Sequence, residues 1–235
     1  MTKIGRFFAA LAISALLGAA AVSCSKNSEP ENPVGDVFSD IVTLATTGEE
    51  GTTFVYRMLN DSPEITLTTT QRFQDATVKP GARLMLNYIA KNGTQHESGA
   101  INVLSYVKCF GPTITTASTS SPTAWASSKV FLSSAWRSGK WLNLSMALEM
   151  GTTARRFELV LDPATADSAE PELHIVFTPD VVNAGMSLPA YASYDISALW
   201  DRQETEGLKI FFVSPDGNEQ SAHISKGASS LKPME

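Results

Sequence analysis

The sequence predicts an all-β protein in which a small barrel precedes an antiparallel β-sandwich. Two observations lead to this prediction. Apolar residues recur at every second position over most of the chain after position 36, which is the period of a half-buried strand. Short runs rich in β-branched and aromatic residues also alternate with turn sequences that contain Pro, Gly, Asn or Asp. No long stretch after position 36 shows the period of an amphipathic helix.

Residues 1–23 predict a cleaved lipoprotein signal peptide. Lys3 and Arg6 form a charged start, and 7–22 is an apolar or small run, shorter than the roughly 20 residues of a membrane span. The tripeptide Ala-Val-Ser then precedes Cys24, which resembles the lipobox of bacterial lipoproteins. We expect the Cys24 thiol to accept a diacylglyceryl group. Two or more acyl chains, such as palmitoyl chains, anchor a protein to a bilayer far more stably than one. The mature chain should therefore stay on its membrane.

Residues 24–35 predict a flexible tether, since they are polar, contain two prolines and lack an apolar pattern. Lys26 with Glu29 and Glu31 partly matches the signal that sends some lipoproteins to the cell surface. We therefore expect the cell envelope of a Gram-negative bacterium, at its outer membrane. Whether the protein faces the periplasm or the outside is left open.

The net charge and the cysteine content limit the classes of function that this sequence allows. Cleavage before Cys24 leaves 16 basic and 24 acidic residues and a net charge of −8. This net charge argues against nucleic acid as a partner and against binding to anionic lipid through clustered basic residues. Cys109 is the only cysteine besides Cys24, so no internal disulfide is expected after lipidation. Its position among strand residues favours a buried, inert thiol.

Residues 36–110 predict a five-stranded barrel of the OB type. Lys79-Pro80-Gly81 suits a type II turn, and Lys91-Asn92-Gly93-Thr94 predicts a tight hairpin, because Asn-Gly accepts the positive φ angles of a type I′ turn. The residues predicted to share inward faces are Phe54, Tyr56 and Met58; Ile65 and Leu67; Leu84, Leu86 and Tyr88; and Ile101, Val103 and Val107.

The Ser/Thr-rich segment 111–124 predicts an interdomain linker, and 125–235 predicts the sandwich, with six or seven strands. "LKIFFVS", which starts at Leu208, predicts a strand buried on both faces, and "SYDISALW", which starts at Ser193, a strand running into a helical turn. The predicted inward residues are Leu142, Leu144, Met146 and Leu148; Phe157, Leu159 and Leu161; and Leu173, Ile175 and Phe177.

The order of these features resembles the NigD-like lipoproteins. The resemblance rests on the lipobox, "VKPGARLMLNY", "GKWLNLSMAL", "RRFELVLD", "ELHIVF" and "YASYDISAL" followed by "GLKIFFVS", and it covers essentially the whole mature chain. It implies an N-terminal OB-like domain and an immunoglobulin-like C-terminal sandwich. It implies no catalytic residues, because the molecular role of most members of that family is undefined.

No catalytic, cofactor or metal site is predicted. No two of the three histidines have metal-ligand spacing, and CxxC, HExxH and GxSxG motifs are absent from the sequence. A zinc site assembled only in the fold is left open. His174 is interpreted as an ordinary outward strand histidine, and the acidic stretch from Asp162 to Glu172 as a solvated loop. Trp141 and Trp136, which flank a predicted turn, are the candidate ligand or partner contacts, with packing of Trp141 on the sandwich end or the barrel as the alternative.

Three function hypotheses follow. The first is a non-enzymatic envelope lipoprotein that binds a glycan or a protein. The second is a structural or assembly component that docks by strand addition at a sheet edge. The third is a hydrolase whose site forms only in the folded protein. The oligomeric state is left open.

Overall fold

The computed structural model describes residues 35–73, 75, 77–149, 156–179 and 186–227. Cys24, the predicted signal peptide and nearly all of the predicted tether lie outside these residues. No helix in the described part of the chain combines the length and the apolarity that a membrane crossing requires.

Five strands of the first half close into a barrel. Their order around the barrel is β1-β2-β3-β5-β4, with β4 paired back to β1. All neighbours are antiparallel except β3 and β5, which pair in parallel through two residue pairs. This is the connectivity of an OB fold and confirms the predicted barrel. The strands are β1 (Val37–Gly48), β2 (Gly51–Tyr56), β3 (Ile65–Thr69), β4 (Arg83–Ala90) and β5 (Gly99–Lys108).

The barrel core confirms most of the predicted inward residues, with two exceptions. Met58 lies beyond the end of β2, and its side chain is exposed. Val107 is also exposed, because the register between β4 and β5 shifts between Asn87 and Tyr88 and reverses the facing of the rest of β5. Tyr106 packs against the core instead. The core residues are Val42, Leu44, Phe54, Tyr56, Ile65, Leu67, Val78, Leu84, Leu86, Tyr88, Ala90 and Ile101.

The two predicted turns of the barrel have different outcomes. Gly81 has φ +91°, and Ala82 N–H donates to Lys79 C=O at 2.9 Å, which confirms the type II turn. The Asn92-Gly93 hairpin prediction is wrong in its length, since eight residues separate β4 from β5. Only Gly93 of that pair has a positive φ, so a type I′ turn does not form.

Two sheets form the predicted sandwich in the second half. One sheet has the order β13-β12-β10-β9-β6 and the other the order β11-β8-β7. The strands are β6 (Thr115–Thr116), β7 (Val130–Ser138), β8 (Trp141–Glu149), β9 (Arg156–Leu161), β10 (Glu172–Thr178), β11 (Ser187–Asp195), β12 (Gly207–Val213) and β13 (Glu219–Ser225). A single helical turn, α1 (Ser197–Trp200), follows β11, as predicted for this stretch.

The sandwich core lies between the facing sides of the two sheets. The predicted inward residues of β8, β9 and β10 are all buried there. The prediction that β12 is buried on both faces is wrong, since Leu208, Ile210 and Phe212 are buried while the alternate positions are half-buried. Lys209 lies on that second face, where its side chain is partly exposed to solvent.

The connecting segment 111–124 is partly built into the sandwich. Thr115 and Thr116 form β6 and pair in parallel with the end of β9. Ser120 then donates to Asp162, and Trp125 stacks on His174. The part of the segment that follows β6, together with Trp125, therefore lies over outward-facing side chains of the five-stranded sheet.

Candidate functional site

The barrel and the sandwich meet through an apolar cluster that holds one of the predicted contact residues. Ile41, Met85 and Cys109 from the barrel side are buried there, with Trp136 and Tyr191 from the sandwich packed against them. Successive residues of β7 alternate, so that Ala135 enters the sandwich core and Trp136 turns toward the barrel. Trp136 is half-buried at this junction.

Cys109 is buried in the same cluster, where burial raises its pKa to about 12. This position agrees with the interpretation of Cys109 as an inert thiol, since the reactive thiolate is strongly disfavoured.

Arg83 links the two domains through a buried guanidinium. It donates to Ser193 Oγ at 2.8 Å and to Asn143 Oδ1 at 3.0 Å in the sandwich, and to Thr43 Oγ1 at 2.8 Å in the barrel. Burial lowers its pKa to about 10, so it stays charged at neutral pH. No carboxylate among the described residues forms a salt bridge with it.

Trp141 opens β8 beside this guanidinium, and it is half-buried rather than exposed at a hairpin tip. The Cζ atom of Arg83 lies 4.8 Å from the ring centroid, and Lys140 Nζ lies 4.9 Å from it. Both distances are within the range of cation–π attraction. Lys140 also forms a 2.7 Å salt bridge with Asp195.

A cleft of about 210 Å³ lies between the barrel and the sandwich along Trp141. We call it the junction cleft. Its chemically distinctive lining residues are Tyr56, Arg57, Glu64, Arg83, Lys140 and Trp141. Three of these are cations, one is an acid and two are aromatic, so the cleft favours a small anionic or sugar-like group.

Trp141 also lines a second cavity, of about 400 Å³, formed mainly by sandwich residues such as Ile114, Leu161 and Leu199. Its lining includes Asp195 but no basic residue. The junction cleft is therefore the more strongly cationic of the two.

A barrel loop holds the hairpin that carries Lys140 and Trp141. Asn60 N–H donates to Arg137 C=O at 2.8 Å, and Gly139 N–H donates to Asn60 C=O at 2.5 Å. Ser138 Oγ donates to Arg57 C=O at 2.5 Å. These three hydrogen bonds hold the β7–β8 turn, which forms one wall of the junction cleft, against the barrel.

A second polar cluster lies inside the barrel next to Tyr56. Tyr88 O–H donates to Asp40 Oδ2 at 2.8 Å, and the Tyr56 hydroxyl lies 3.3 Å from His96 Nδ1. Burial raises the pKa of Asp40 above its ordinary value and that of Tyr56 to about 12. His96 has φ +62°, which is uncommon for a non-glycine residue.

His174 is buried, which corrects the expectation of an ordinary outward strand histidine. It does face away from the sandwich core, but its ring lies between Trp125 and Phe211, at centroid distances of 4.1 and 5.0 Å. The residue is only 6% exposed, and no described residue hydrogen-bonds its Nε2 atom. Desolvation lowers its pKa, so the neutral imidazole is favoured.

Asp162 and Glu172 lie beside His174. One donor atom from each of the three side chains falls within 4.8 Å of the others. Asp162 is buried and Glu172 is half-buried, so the interpretation of this stretch as a solvated loop is wrong at both its ends. No metal was predicted from the sequence, but this triad is a candidate ligand set among the described residues.

Sequence reasoning missed the Arg83 network and the His174 triad for one reason. The Arg83 network joins residues far apart in the chain, and in the triad Asp162 meets the other two residues through the pairing of β9 with β10. A signal for the triad did exist, since Glu172 and His174 are two residues apart and must share a sheet face. Nothing local indicated that Asp162 would lie on the same face.

Comparison with known proteins adds evidence on the fold. The sequence matches no protein-family model and no curated protein. A solved NigD-like immunity protein from Bacteroides caccae matches with a TM-score of 0.56 and 16% identity over 81% of this chain and 98% of that one. The chain has the NigD-like fold.

Other solved structures share this NigD-like fold. A protein of unknown function from Bacteroides vulgatus matches with a TM-score of 0.63 and 18% identity over 83% of this chain and 92% of that one. A proposed lipoprotein from Bacteroides fragilis matches with a TM-score of 0.57 and 11% identity over 83% of this chain and 100% of that one. Identities this low establish the shared fold alone.

Proposed function

We propose that this protein is a non-enzymatic envelope lipoprotein that is anchored through Cys24 and binds a glycan through the junction cleft. The lipobox-like sequence before Cys24 supports the anchor. A NigD-like fold shared with a proposed Bacteroides fragilis lipoprotein supports the same class. The observation that carries the binding proposal is the position of Trp141 beside Lys140 and Arg83 in the cleft wall.

The lining of the junction cleft favours the end of a glycan that carries an acidic sugar. Half-buried Trp141 offers aromatic surface for a sugar ring. Arg57, Arg83 and Lys140 supply positive charge for a carboxylate, whereas the rest of the protein is strongly acidic. At about 210 Å³ the cleft is smaller than the roughly 300 Å³ of the smallest drug-sized pockets, which suits a terminal sugar.

The hydrogen bonds made by the two hydroxyl groups in the junction cleft favour binding over catalysis. Ser138 Oγ donates to the backbone carbonyl of Arg57, and Thr43 Oγ1 accepts a hydrogen bond from Arg83. Neither hydroxyl has a histidine or carboxylate partner among the described residues to activate it as a nucleophile. The cleft therefore supports recognition better than group transfer.

Glycan arrays test the binding proposal. We expect the full-length protein, purified in detergent, to bind acidic saccharides more strongly than their neutral counterparts. Trp141→Ala and Lys140→Met should each reduce the signal at least about tenfold, which corresponds to about 1.4 kcal/mol. Lys129→Met removes an exposed lysine outside the cleft and should leave binding unchanged. Equal signals from the parent and Trp141→Ala would exclude this site.

Metabolic labelling tests the anchor. Cells given labelled palmitate should label the parent protein but not Cys24→Ala, and the variant should leave the membrane fraction. Protease treatment of intact cells then distinguishes a surface location from a periplasmic one. An unlabelled parent protein, or a Cys24→Ala variant that fractionates like the parent, would overturn the proposed anchor.

Assembly by strand addition is the second candidate, and the three-stranded sheet favours it. Its outer strands in the described residues, β7 and β11, carry exposed Phe131 and Leu188. Concentration-dependent self-association that Phe131→Lys abolishes would support this role. A monomer at all concentrations would argue against assembly between copies of this chain.

A further inference from the structure

We propose that Asp162, Glu172 and His174 form a binding site for a divalent first-row transition-metal ion, with Zn²⁺ as the ion that fits best. The site lies on the outer face of the five-stranded sheet, below the segment that carries Trp125. It is separate from the junction cleft and shares no residue with the lining of that cleft.

The buried imidazole is the first observation that points to a ligand. His174 is more than nine-tenths buried, and its Nε2 atom has no hydrogen-bond partner among the described residues. Leaving a buried polar group without a partner is unfavourable. The stacked rings of Trp125 and Phe211 hold the imidazole in one orientation, with a ring nitrogen close to both carboxylates.

The strand register is the second observation. Leu161 pairs with Leu173, and Asp162 N–H donates to Glu172 C=O at 3.0 Å, so Asp162 and Glu172 are directly opposite each other. Like charges directly opposite across a strand pair are destabilising. Neither carboxylate forms a salt bridge within the described residues, and Lys209 bonds Glu170 instead at 3.0 Å. A bound cation would neutralise this pair.

The donor set selects the kind of ion. An imidazole nitrogen with two carboxylates suits zinc and its first-row neighbours, whereas Ca²⁺ and Mg²⁺ take oxygen ligands. Ligands around tetrahedral zinc lie about 3.4 Å apart, for bonds of about 2.1 Å. The three donor atoms lie within 4.8 Å of one another, so an adjustment of the side chains by about 1 Å would bring them to this spacing.

Neighbouring groups already orient Asp162 for this role. Its Oδ1 atom accepts hydrogen bonds from Ser120 Oγ and from Ala164 N–H. Its Oδ2 atom has no hydrogen bond within the described residues and remains available. Partners of this kind fix the direction of a ligating carboxylate. Three protein ligands would leave one coordination position of zinc open to solvent or to a further group.

Titration with Zn²⁺ tests the site, using the full-length protein in detergent after treatment with a chelator. We expect one Zn²⁺ per chain by equilibrium dialysis, and a change in fluorescence from Trp125. Glu172→Gln keeps the shape of the side chain and should weaken Zn²⁺ binding at least about tenfold, since even partners of metal ligands contribute that much. His174→Gln should abolish the binding.

Two control variants keep the test specific. His223→Gln removes an exposed histidine that contacts Glu170 at 2.8 Å on the same sheet, and it should bind Zn²⁺ like the parent. Trp125→Phe should keep the binding but lose most of the fluorescence change. Equal Zn²⁺ affinity in the parent and in Glu172→Gln, or no Zn²⁺ bound by the parent, would overturn the proposal.

Discussion

Arg83 in the barrel donates a 3.0 Å hydrogen bond to Asn143 Oδ1 in the sandwich, and both residues are buried. Ser193 Oγ bonds both partners, at 2.8 Å in each case. The charged guanidinium of Arg83 in the barrel therefore donates hydrogen bonds to neutral acceptors in the sandwich. This network joins the two domains at the junction cleft, together with a 2.6 Å salt bridge between Arg137 of the sandwich and Asp61 of the barrel.

The first prediction concerns the loss of either partner of this bond. We expect Arg83→Met to lower the free energy of unfolding by about 2 kcal/mol, because neutral acceptors lose their donor. Asn143→Leu should cost more, about 3 kcal/mol, because it leaves a buried charge with fewer partners. Urea unfolding of both variants and of the double variant gives the coupling energy.

Arg72→Met is the control for this cycle, since Arg72 is exposed and should change stability by less than about 0.5 kcal/mol. A coupling energy near zero between Arg83 and Asn143 would contradict the proposed network.

The second prediction concerns Gly111, at the start of the connecting segment. Gly111 has φ +112°, and a Cβ placed there would lie 2.3 Å from the backbone oxygen of Ser193. We expect Gly111→Ala to cost at least about 3 kcal/mol, because strain and a clash with backbone add together. Thermal unfolding measures the loss.

Gly81→Ala is the matched control for backbone strain. Gly81 has φ +91°, but a Cβ at this position would meet nothing within 4 Å. Its substitution should therefore cost only the strain, about 1–2 kcal/mol. Similar losses from Gly81→Ala and Gly111→Ala would show that the close approach to Ser193 is unimportant.

The third prediction concerns the reactivity of Cys109. With its pKa raised to about 12 by burial, only about 0.01% of the thiol is ionised at pH 8. Iodoacetamide should therefore modify Cys109 very slowly in the folded protein and rapidly in urea. Peptide mapping by mass spectrometry follows Cys109 separately from Cys24. Rapid modification without denaturant would contradict its burial at the junction.

The fourth prediction concerns pH and Asp40. Burial raises the pKa of Asp40 above its unfolded value of 3.8, so the folded state binds more protons between those two pKa values. Stability from this group is present at low pH and is lost as pH rises through the folded pKa. Asp40→Asn removes this loss, so its stability relative to the parent should increase from pH 4 toward pH 7.

Asp75→Asn should show the opposite sign. Hydrogen bonds from the side chain and the backbone of Thr77 lower the pKa of Asp75. The Asp75 carboxylate therefore stabilises the fold above pH 3.8, and this stabilisation is lost as pH falls through the folded pKa. Unfolding curves across this pH range check both variants. Parallel pH profiles for the parent and Asp40→Asn would contradict the prediction for Asp40.

Local sequence was sufficient to predict much of the fold. Alternation placed Leu84, Leu86 and Tyr88 on one face of β4, because successive side chains of a strand must point to opposite sides. The type II turn at Gly81 was also predictable, because only certain residues tolerate its backbone angles. The facing of Val107 was not predictable, because the register shift arises from how β5 fits β4.

The candidate sites likewise combine features that the sequence predicts with features that depend on the fold. The sequence alone determined the all-β class, the order of barrel and sandwich, and the two tryptophans worth attention, since these follow from local periodicity and residue type. Only the tertiary structure decided that Trp136 packs at the domain junction, that Trp141 lies beside Arg83, and that His174 is buried next to two carboxylates. The two tryptophan contacts join strands that are distant in the chain, and Asp162 meets His174 through the pairing of β9 with β10, so strand pairing and domain packing set these distances.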